Sequence, residues 1–526
     1  MSLKDSKPFE SSDKSSDVEQ FRLRNFITKL EELGELDICD EAIQTADIAV
    51  RLEGNSRAVL FNNVGAEQVD IVGNVMASRS RIAAAFGVEE ADVLDEIRSR
   101  LKTPQTLVEL ESSKAPVQQE VWLGDEADLT RLPVPFQHSG DGSLYLSSPI
   151  DVVQDAATGL HNIGCRRLML RGRRECGVDL NAPSDLRAIY EDAVKVGKPL
   201  PVSFILGAHP IDHFTGAMRA PGDELELMAK LRGTSLPVVK CVSNDLRVPA
   251  DAEYVLEGYL SPEGHVEKEG PYGEFLGYYG GVKQNPVFHL TAITRRKDAL
   301  FQTTTIAGRR LDCTDTSQLV SLKAELGIWE ALRTAVRDPI AVNATTASGG
   351  CFHARVALRQ RAPGDARNAI AAVLGSFMNV KHVFIVDEDI DIFDDAQMEW
   401  ALASRFQADR DFVVFEGMRL PPVDPSMGKA RVSAKAGFDL TIPFAQRGND
   451  DWLVPVPPNL SSTEKQFSSV ADALRDGPKS FEGLLRSLGS QDGREIVLEL
   501  EVLNNGGQLD SRAEDGAYRL KTRDKK

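Results

Sequence analysis

The sequence contains no Cys-x-x-Cys pair, and its six cysteines (Cys39, Cys165, Cys176, Cys241, Cys313 and Cys351) are scattered along the chain. Such spacing offers neither the paired ligands of a structural zinc site nor a disulfide framework, and it fits a reducing, cytoplasmic compartment. A lone cysteine such as Cys165 reads as core packing before it reads as a nucleophile. Positive charge is also scarce: 61 Lys and Arg stand against 79 Asp and Glu, a formal net charge of −18. Nucleic acids and anionic membranes both demand basic patches, so neither is expected as a partner. No apolar run approaches the roughly 18 residues that a membrane-spanning helix requires. The opening MSLKDSKPFESSDKSSD is rich in Ser, Lys and Asp with no hydrophobic stretch, so residues 1–18 read as a flexible arm and not a signal peptide. A phosphate or carboxylate ligand would need local cations to overcome the acidic field of the whole chain.

At 526 residues the chain is too long for one core, and several domains are expected. A helical stretch, FRLRNFITKLEELGEL, ends near Gly34. Apolar runs AVLFNNV and VDIVGNV then alternate with the helical SRIAAAFG and EEADVLDEIRSRLK. This is an N-terminal α/β domain, assigned to 19–120, whose regular alternation ends near Leu107. From Val121 the chain turns β-rich. LYLSSPIDVVQD and LHNIGCRRLMLRG flank AATG, a hairpin signal, and PVSFILG, VVKCVSN, AEYVLEGYL, VFHLTAITRR and FQTTTIA follow as strands. Many strands with few long helices predict a β-barrel-like middle domain over 121–315. Alternation returns over 316–450, with helices near 316–335, 364–377 and 395–405 set among IAVNATT, FHARVAL, HVFIVDEDI and FVVFEGM. The Pro-rich VPVPPNLSST reads as a linker. Residues 460–526 read as three helices and a short strand pair, a winged-helix-like tail. Over 475–526 basic and acidic residues number 10 each, which favours protein contact over DNA binding. The fold class expected is therefore α/β multidomain (α+β).

One segment resists a reading as packing alone. EKEGPYGEFLGYYGG, residues 267–281, sets Glu269 and Glu274 around Gly270, Pro271 and Gly273. Glycine and proline make a tight turn there, and neighbouring aromatics would exclude water. Desolvation raises a carboxyl pKa towards neutrality, which suits acid–base work. A solvent-exposed loop with incidental acids is the plainer alternative. HNIGCRR, residues 161–167, places an asparagine and a cation five apart on a strand edge, a pairing able to hold an anion and a metal together. An ordinary amphipathic strand would look the same. In GDELELMAKLRG, Glu224 lies at a helix start, where capping alone accounts for a carboxylate.

Read together, NIGCRR, LRGTSLPVVKC, NDLRVPADAEYVLEGYL, EGPYGEFLGYYGG and NVKHVFIVDEDIDIFD resemble the UbiD family of prenylated-flavin (de)carboxylases. The motifs occur in the family's order, and the resemblance runs from about Phe21 to about Ile442. It implies a central split β-barrel-like domain that binds prenylated FMN. It further implies a C-terminal α/β domain through which the chain forms a homo-oligomer, a dimer or hexamer. Matched position by position, the family's catalytic network falls on Arg167, Glu269 and Glu274. Its metal site, which clamps the cofactor phosphate with Mn2+ (or Mg2+), falls on Asn162, Asp185 and Glu224. Asp185 departs from the pattern, standing where the family usually has histidine, yet an aspartate is a competent hard-cation ligand. Ile163 and Lys381 match further cofactor positions, and K+ (or Na+) is implied near the backbone of Ala217 and Met218.

The activity so implied is reversible, non-oxidative decarboxylation of an aromatic or heteroaromatic acid (pyrrole, indole, furan or related) through a covalent prenylated-FMN adduct. In this scheme Arg167 orients the network and substrate carboxylate, Glu274 donates the proton, and Glu269 tunes both. A flavin prenyltransferase would supply the cofactor. The physics agrees: acidic ligands beside a phosphate imply an intervening metal. Enzymes lower barriers by roughly 8–23 kcal/mol, and one arginine with two glutamates needs an electron sink to reach that range. His353 and Arg355, in GGCFHARVAL, would recognise a ring NH or second carboxylate, or else are ordinary strand residues. Two other classes compete, an oxidoreductase binding ordinary flavin and a non-catalytic assembly or regulatory protein.

Overall fold

Leu23, Phe26, Ile27 and Leu30 recur at helical spacing, and all four are buried on one face of helix Leu23–Glu32. The computed structural model describes residues 18–376, 378–430, 432–460, 466–510 and 516–521. The arm expected at 1–18 lies outside the described residues except for Val18, which packs against a buried cluster around Ala115 and Val117. After Gly34, in the left-handed region at φ 72°, strand Leu36–Cys39 pairs in parallel with Ala58–Val64, which pairs antiparallel with Val69–Gly73. The fourth strand of this sheet is Phe301–Gln302, parallel to Val69–Gly73. FQTTTIA, expected in the middle domain, thus completes the N-terminal sheet. VVKCVSN behaves similarly: Leu236–Lys240 leaves the barrel and pairs with Leu107–Leu110 and Arg247–Pro249. Short apolar strands fit any edge with matching register, so local sequence does not choose between sheets.

The central sheet has nine strands and curls into a half-barrel. Its order is Tyr145–Leu146, Leu168–Leu170, Glu175–Val178, Val287–Arg295, Tyr254–Leu260, Leu200–Leu206, Ile150–Gln154 and His161–Cys165, with Glu120–Leu123 joined to Val287–Arg295. Phe204, Leu256, Phe288 and Ile293 fill one side. The AATG hairpin forms as the sequence indicates, with Ile150 opposite Cys165 and Gln154 opposite His161. This leaves His161–Cys165 at the edge of the sheet.

The C-terminal sheet runs Pro339–Ala344, His353–Leu358, His382–Asp387, Ser433–Asp439 and Phe412–Met418. Helices Asp315–Ala335, Asp365–Gly375 and Asp395–Arg405 accompany it. Ser433–Asp439 is the strand the sequence hid, because SAKAGFD lacks the β-branched residues that mark strands. Lys435 is buried there with Nζ donating to the Leu374 carbonyl at 2.9 Å. Gly437 admits Ile370 so closely that an added Cβ would meet its Cγ2 at 2.3 Å. Residues 446–526 form a second compact unit. It carries helices Val470–Arg475, Phe481–Leu488 and Arg494–Asn505, antiparallel bridges Lys479–Tyr518 and Leu509–Leu520, and its own core of Val470, Leu474, Leu484, Ile496 and Leu500. Among the described residues no helix is long and apolar enough to cross a membrane.

Candidate active site

Arg167 lies just past the edge strand His161–Cys165, and the segment 267–281 folds over it. That segment is a nested pair of hairpins: Glu267–Glu269 pairs with Lys283–Asn285, and Tyr272–Gly273 with Tyr279–Gly280. Arg167 donates from Nε and Nη2 to the two oxygens of Glu269 at 3.0 and 3.2 Å, and from Nη1 to Glu274 Oε1 at 2.7 Å. All three residues assigned to the catalytic network therefore meet. Two more groups join them. Asp179 Oδ2 stands 3.0 Å from Arg167 Nη2, and Lys283 Nζ lies 3.3 Å from Asp179 and 3.9 Å from Glu274.

Three carboxylates around one guanidinium are stable only because their geometry is fixed. Glu269 is fully buried and receives a further hydrogen bond from Asn285 Nδ2 at 3.1 Å. Burial opposes the charge on Arg167, yet Glu274, Glu269 and Asp179 more than offset it and hold the guanidinium above its ordinary pKa. Burial likewise opposes the Asp179 carboxylate, but Arg167, Lys283 and Asn181 bring it from 3.8 down to about 2. The Arg167 guanidinium also sits 4.7 Å over the ring of Tyr272. Tyr272 in turn donates to Gln137 Oε1 at 2.7 Å, and Tyr145 donates to the Pro271 carbonyl at 3.2 Å. The Gly273 amide donates to Asp141 Oδ1 at 3.0 Å. At Gly280 an added Cβ would come within 2.6 Å of Glu274 Oε1, so this glycine makes the room in which Glu274 reaches Arg167. Asp179, Lys283 and Asn285 had no signal in the sequence, since strand register alone brings them beside Glu269.

The second half of the site corrects a sequence reading. Glu224 does not cap its helix. Asp223 holds the N-cap of Glu224–Arg232, accepting from the Leu225 and Glu226 amides at 2.9 and 3.3 Å, and also accepts from the His161 amide at 2.9 Å and from the Nδ1–H of its ring at 2.7 Å. Glu224 is buried and reaches across to the edge strand, where the Ile163 amide donates to it at 2.6 Å and Asn162 Nδ2 at 2.8 Å. Burial, then the nearby Asp185 and Asp151, raise the Glu224 carboxyl to about 7. Asn162, Asp185 and Glu224 line one open cavity of about 580 Å³, and Arg219 pairs with Asp185 at 2.7 Å. Among the described residues no group of three His, Cys, Asp or Glu side chains is set for a metal. A cation here would thus rest on two carboxylates and one amide oxygen, hard donors that fit Mn2+ or Mg2+.

The remaining assigned positions fall differently. Ala217 ends helix Pro210–Ala217 and Met218 follows in extended backbone, beside Gly216, where an added Cβ would meet Cys165 Sγ at 3.0 Å. Lys381 Nζ is held by Asp424 Oδ2 and Ser426 Oγ, each at 2.7 Å. His353 packs on His382 and Phe384 with ring centroids 5.0 and 5.8 Å apart, and burial lowers its pKa to about 4. Arg355 pairs with Asp395 at 2.7 Å and donates to the Ile392 carbonyl at 3.1 Å. These contacts of His353 and Arg355 all lie within the C-terminal sheet and its connections, apart from the Arg167 network.

Known proteins resemble this chain in sequence and fold. Three family profiles match the chain in order, described as the 3-octaprenyl-4-hydroxybenzoate carboxy-lyase N-terminal domain (27–101), Rift-related domain (108–310) and C-terminal domain (317–440). An anhydromevalonate phosphate decarboxylase from Methanosarcina mazei is 31% identical over 432 residues, 81% of this chain and 97% of that protein. The UbiD-class enzyme HmfF from Pelotomaculum thermopropionicum, solved with FMN, superposes with a TM-score of 0.78 at 31% identity, covering 83% of this chain and 97% of its own. An evolved dimeric form of HmfF was solved with prFMN, with TM-score 0.75, 29% identity and coverage of 84% and 98%. The 3,4-dihydroxybenzoic acid decarboxylase AroY from Klebsiella pneumoniae superposes with a TM-score of 0.77 at 28% identity, covering 84% of this chain and 97% of its own. With its three domains matched in order and relatives covered almost end to end, the chain belongs to the UbiD family of carboxy-lyases.

Proposed function

We propose that this protein removes CO2 from an aromatic or heteroaromatic carboxylic acid without net oxidation, using prenylated FMN. The observation that carries the proposal is the single guanidinium of Arg167 shared by Glu269 and Glu274. Prenylated FMN, when bound, supplies the electron sink that loss of CO2 from an sp2 carbon demands. Asn162, Asp185 and Glu224 would hold Mn2+ or Mg2+ against its phosphate, with the Ile163 backbone and Lys381 nearby. The Ala217 and Met218 carbonyls would take K+ or Na+. Glu269, buried and bonded to two Arg167 donors, fixes the guanidinium plane. Arg167 in turn positions Glu274 and attracts the substrate carboxylate. Glu274 delivers a proton to the carbon that CO2 has left and recovers it from solvent. The same steps run backwards at high CO2. A homo-oligomer built through the C-terminal α/β domain and a contact role for the winged-helix-like tail belong to the same proposal.

The test is expression together with a flavin prenyltransferase, followed by intact mass and absorption of the bound cofactor and a screen for CO2 release. The screen includes heteroaromatic acids, benzoic acids and, as an aliphatic acid, anhydromevalonate phosphate, for which the Methanosarcina relative is named. Prenylated flavin with turnover of a ring acid is the expected result. Turnover of the aliphatic acid alone would replace the substrate class. Ordinary flavin with redox activity would point to an oxidoreductase, and no cofactor with no turnover to a non-catalytic role.

A further inference from the structure

Glu274 opens a tight turn. Its amide donates to the Tyr278 carbonyl at 2.8 Å, and its carbonyl accepts from the Gly277 amide at 2.9 Å. Phe275 and Leu276 are therefore the tip of the hairpin whose strands are Tyr272–Gly273 and Tyr279–Gly280. Those strands follow the half-barrel part of the chain, but the tip leaves it. Phe275 and Leu276 pack against the buried cluster of the C-terminal domain, which includes Ile328, Val342, Cys351 and Phe352.

The tip lies against a turn between the first two strands of the C-terminal sheet, Pro339–Ala344 and His353–Leu358. Hydrogen bonds fix that turn. The Gly349 and Gly350 amides donate to the Thr346 and Thr345 carbonyls at 3.0 and 3.2 Å, and the His353 amide donates to Ser348 Oγ at 2.9 Å. Gly349, at φ 73°, stands so close to the tip that an added Cβ would meet Leu276 Cδ2 at 2.8 Å and the Phe275 carbonyl oxygen at 3.0 Å. On the far side, a Cβ at Gly350 would strike the Ser317 carbonyl and Ser321 amide of helix Asp315–Ala335. The turn is wedged between helix and tip. The base of the hairpin is pinned separately, by the Gly273 amide on Asp141 Oδ1 at 3.0 Å. Glu274 lies between these two anchors, and close-packed contacts transmit a displacement instead of absorbing it.

We infer that Leu276 and Gly349 are positioning residues for Glu274: the fit of the hairpin tip against the Gly349 turn sets the backbone from which Glu274 reaches Arg167. In this role both rest on the reading of Glu274 as proton donor. The C-terminal domain thereby takes part in proton delivery through packing, while the bonds of Arg167 and Glu274 stay within the half-barrel part.

The experiment uses full-length protein expressed with a flavin prenyltransferase. Wild type is compared with Leu276→Ala, Leu276→Met, Gly349→Ala, Glu274→Gln and the Leu276→Ala/Glu274→Gln double variant. CO2 release is measured with the ring acid found in the screen, FMN affinity of the apoprotein by fluorescence quenching, and backbone hydrogen exchange of the apoprotein over residues 270–281. Leu276→Ala and Gly349→Ala are each expected to lower kcat about 10- to 100-fold, the cost of misplacing a reacting group by about 1 Å. KM and FMN affinity should barely change, and the Glu274 and Gly277 amides should exchange faster. Leu276→Met, which conserves volume, should recover most of the turnover. In the Glu274→Gln background, Leu276→Ala should cost little more, because a residue acting through Glu274 has nothing left to place.

Losses that multiply in the double variant would overturn the assignment, as would full turnover in both Leu276→Ala and Gly349→Ala. Loss of FMN affinity in step with turnover would reduce both residues to general support of the fold. Wild-type exchange at Glu274 and Gly277 in both variants would also overturn it, whether or not a substrate is in hand. Full turnover in Glu274→Gln would instead overturn the proton-donor reading, and the roles of Leu276 and Gly349 with it.

Discussion

Glu269 occupies two donors of Arg167, Nε at 3.0 Å and Nη2 at 3.2 Å, and so leaves Nη1 to Glu274 at 2.7 Å. The buried carboxylate sets the plane of the guanidinium, and the plane sets the place of the second carboxylate. Orientation thus passes from the interior outwards: Asn285 to Glu269, Glu269 to Arg167, Arg167 to Glu274.

Arg167→Lys keeps a positive charge but cannot reproduce the two-pronged bond to Glu269. Glu269 would be left buried beside Asp179 with its partner halved. Breaking a buried pair costs about 3–5 kcal/mol, and retaining one charge should hold the loss to the lower end. Urea unfolding of the apoprotein should show that loss, and decarboxylation should fall with it. A variant as stable and as active as wild type would show that the fork is not needed.

Glu274→Gln preserves shape and removes the proton to be delivered. Turnover should fall by about 10²–10⁴-fold, the usual range for a positioned acid or base. FMN affinity should stay within experimental error, because the residues proposed to hold the cation and phosphate, Asn162, Asp185 and Glu224, are others. Full activity would remove Glu274 from the role of proton donor.

Gly280→Ala tests room rather than charge. The new methyl would meet Glu274 Oε1 at 2.6 Å, and the end of that flexible side chain would move before the backbone did. Turnover should fall with little change in melting temperature, and a crystal structure should show Glu274 displaced from Arg167. Unaltered turnover would mean that the Arg167–Glu274 bond is dispensable.

Asp179 predicts an acid limit. Its carboxyl is held at about 2 in the folded protein against 3.8 ordinarily, by Arg167 and Lys283 working against burial. A group whose pKa is lowered by folding stabilises above its unfolded pKa and loses that contribution as pH falls through its folded pKa. The contribution is on the order of 2 kcal/mol, complete near neutrality and lost between about pH 4 and pH 2. Unfolding free energies of wild type and Asp179→Asn, measured across that window, should converge as pH falls. Parallel curves would mean that the Asp179 charge is not stabilising.

Much of the site was legible because its residues are close in sequence. Glu269 and Glu274 share one Gly- and Pro-bearing segment, and Asn162, Ile163 and Arg167 share one strand and its exit. The AATG turn told that this strand would pair with the one before it. Lys283 and Asn285 were illegible, because antiparallel pairing with Glu267–Glu269 brings them in; Asp179 was illegible because it follows Glu175–Val178, which a separate pairing with Val287–Arg295 sets in place, and no local pattern marks any of the three. Glu224 was half legible: its helix start was plain, but Asp223 one residue earlier is an equally good cap, and only the nearby edge strand decides which carboxylate turns away.

By itself the sequence determined the order of α/β, β-rich and α/β parts, the hairpin at the sheet edge and the types of the residues proposed for the site. These follow from hydrophobic periodicity, turn-forming residues and side-chain chemistry, all local properties. Only the tertiary structure decided that Phe301–Gln302 completes the N-terminal sheet and that Leu236–Lys240 leaves the barrel. It also decided that three carboxylates share Arg167. Those outcomes depend on which distant edges and faces meet, and pairing of that kind is set by the burial of the whole chain rather than by any window of it.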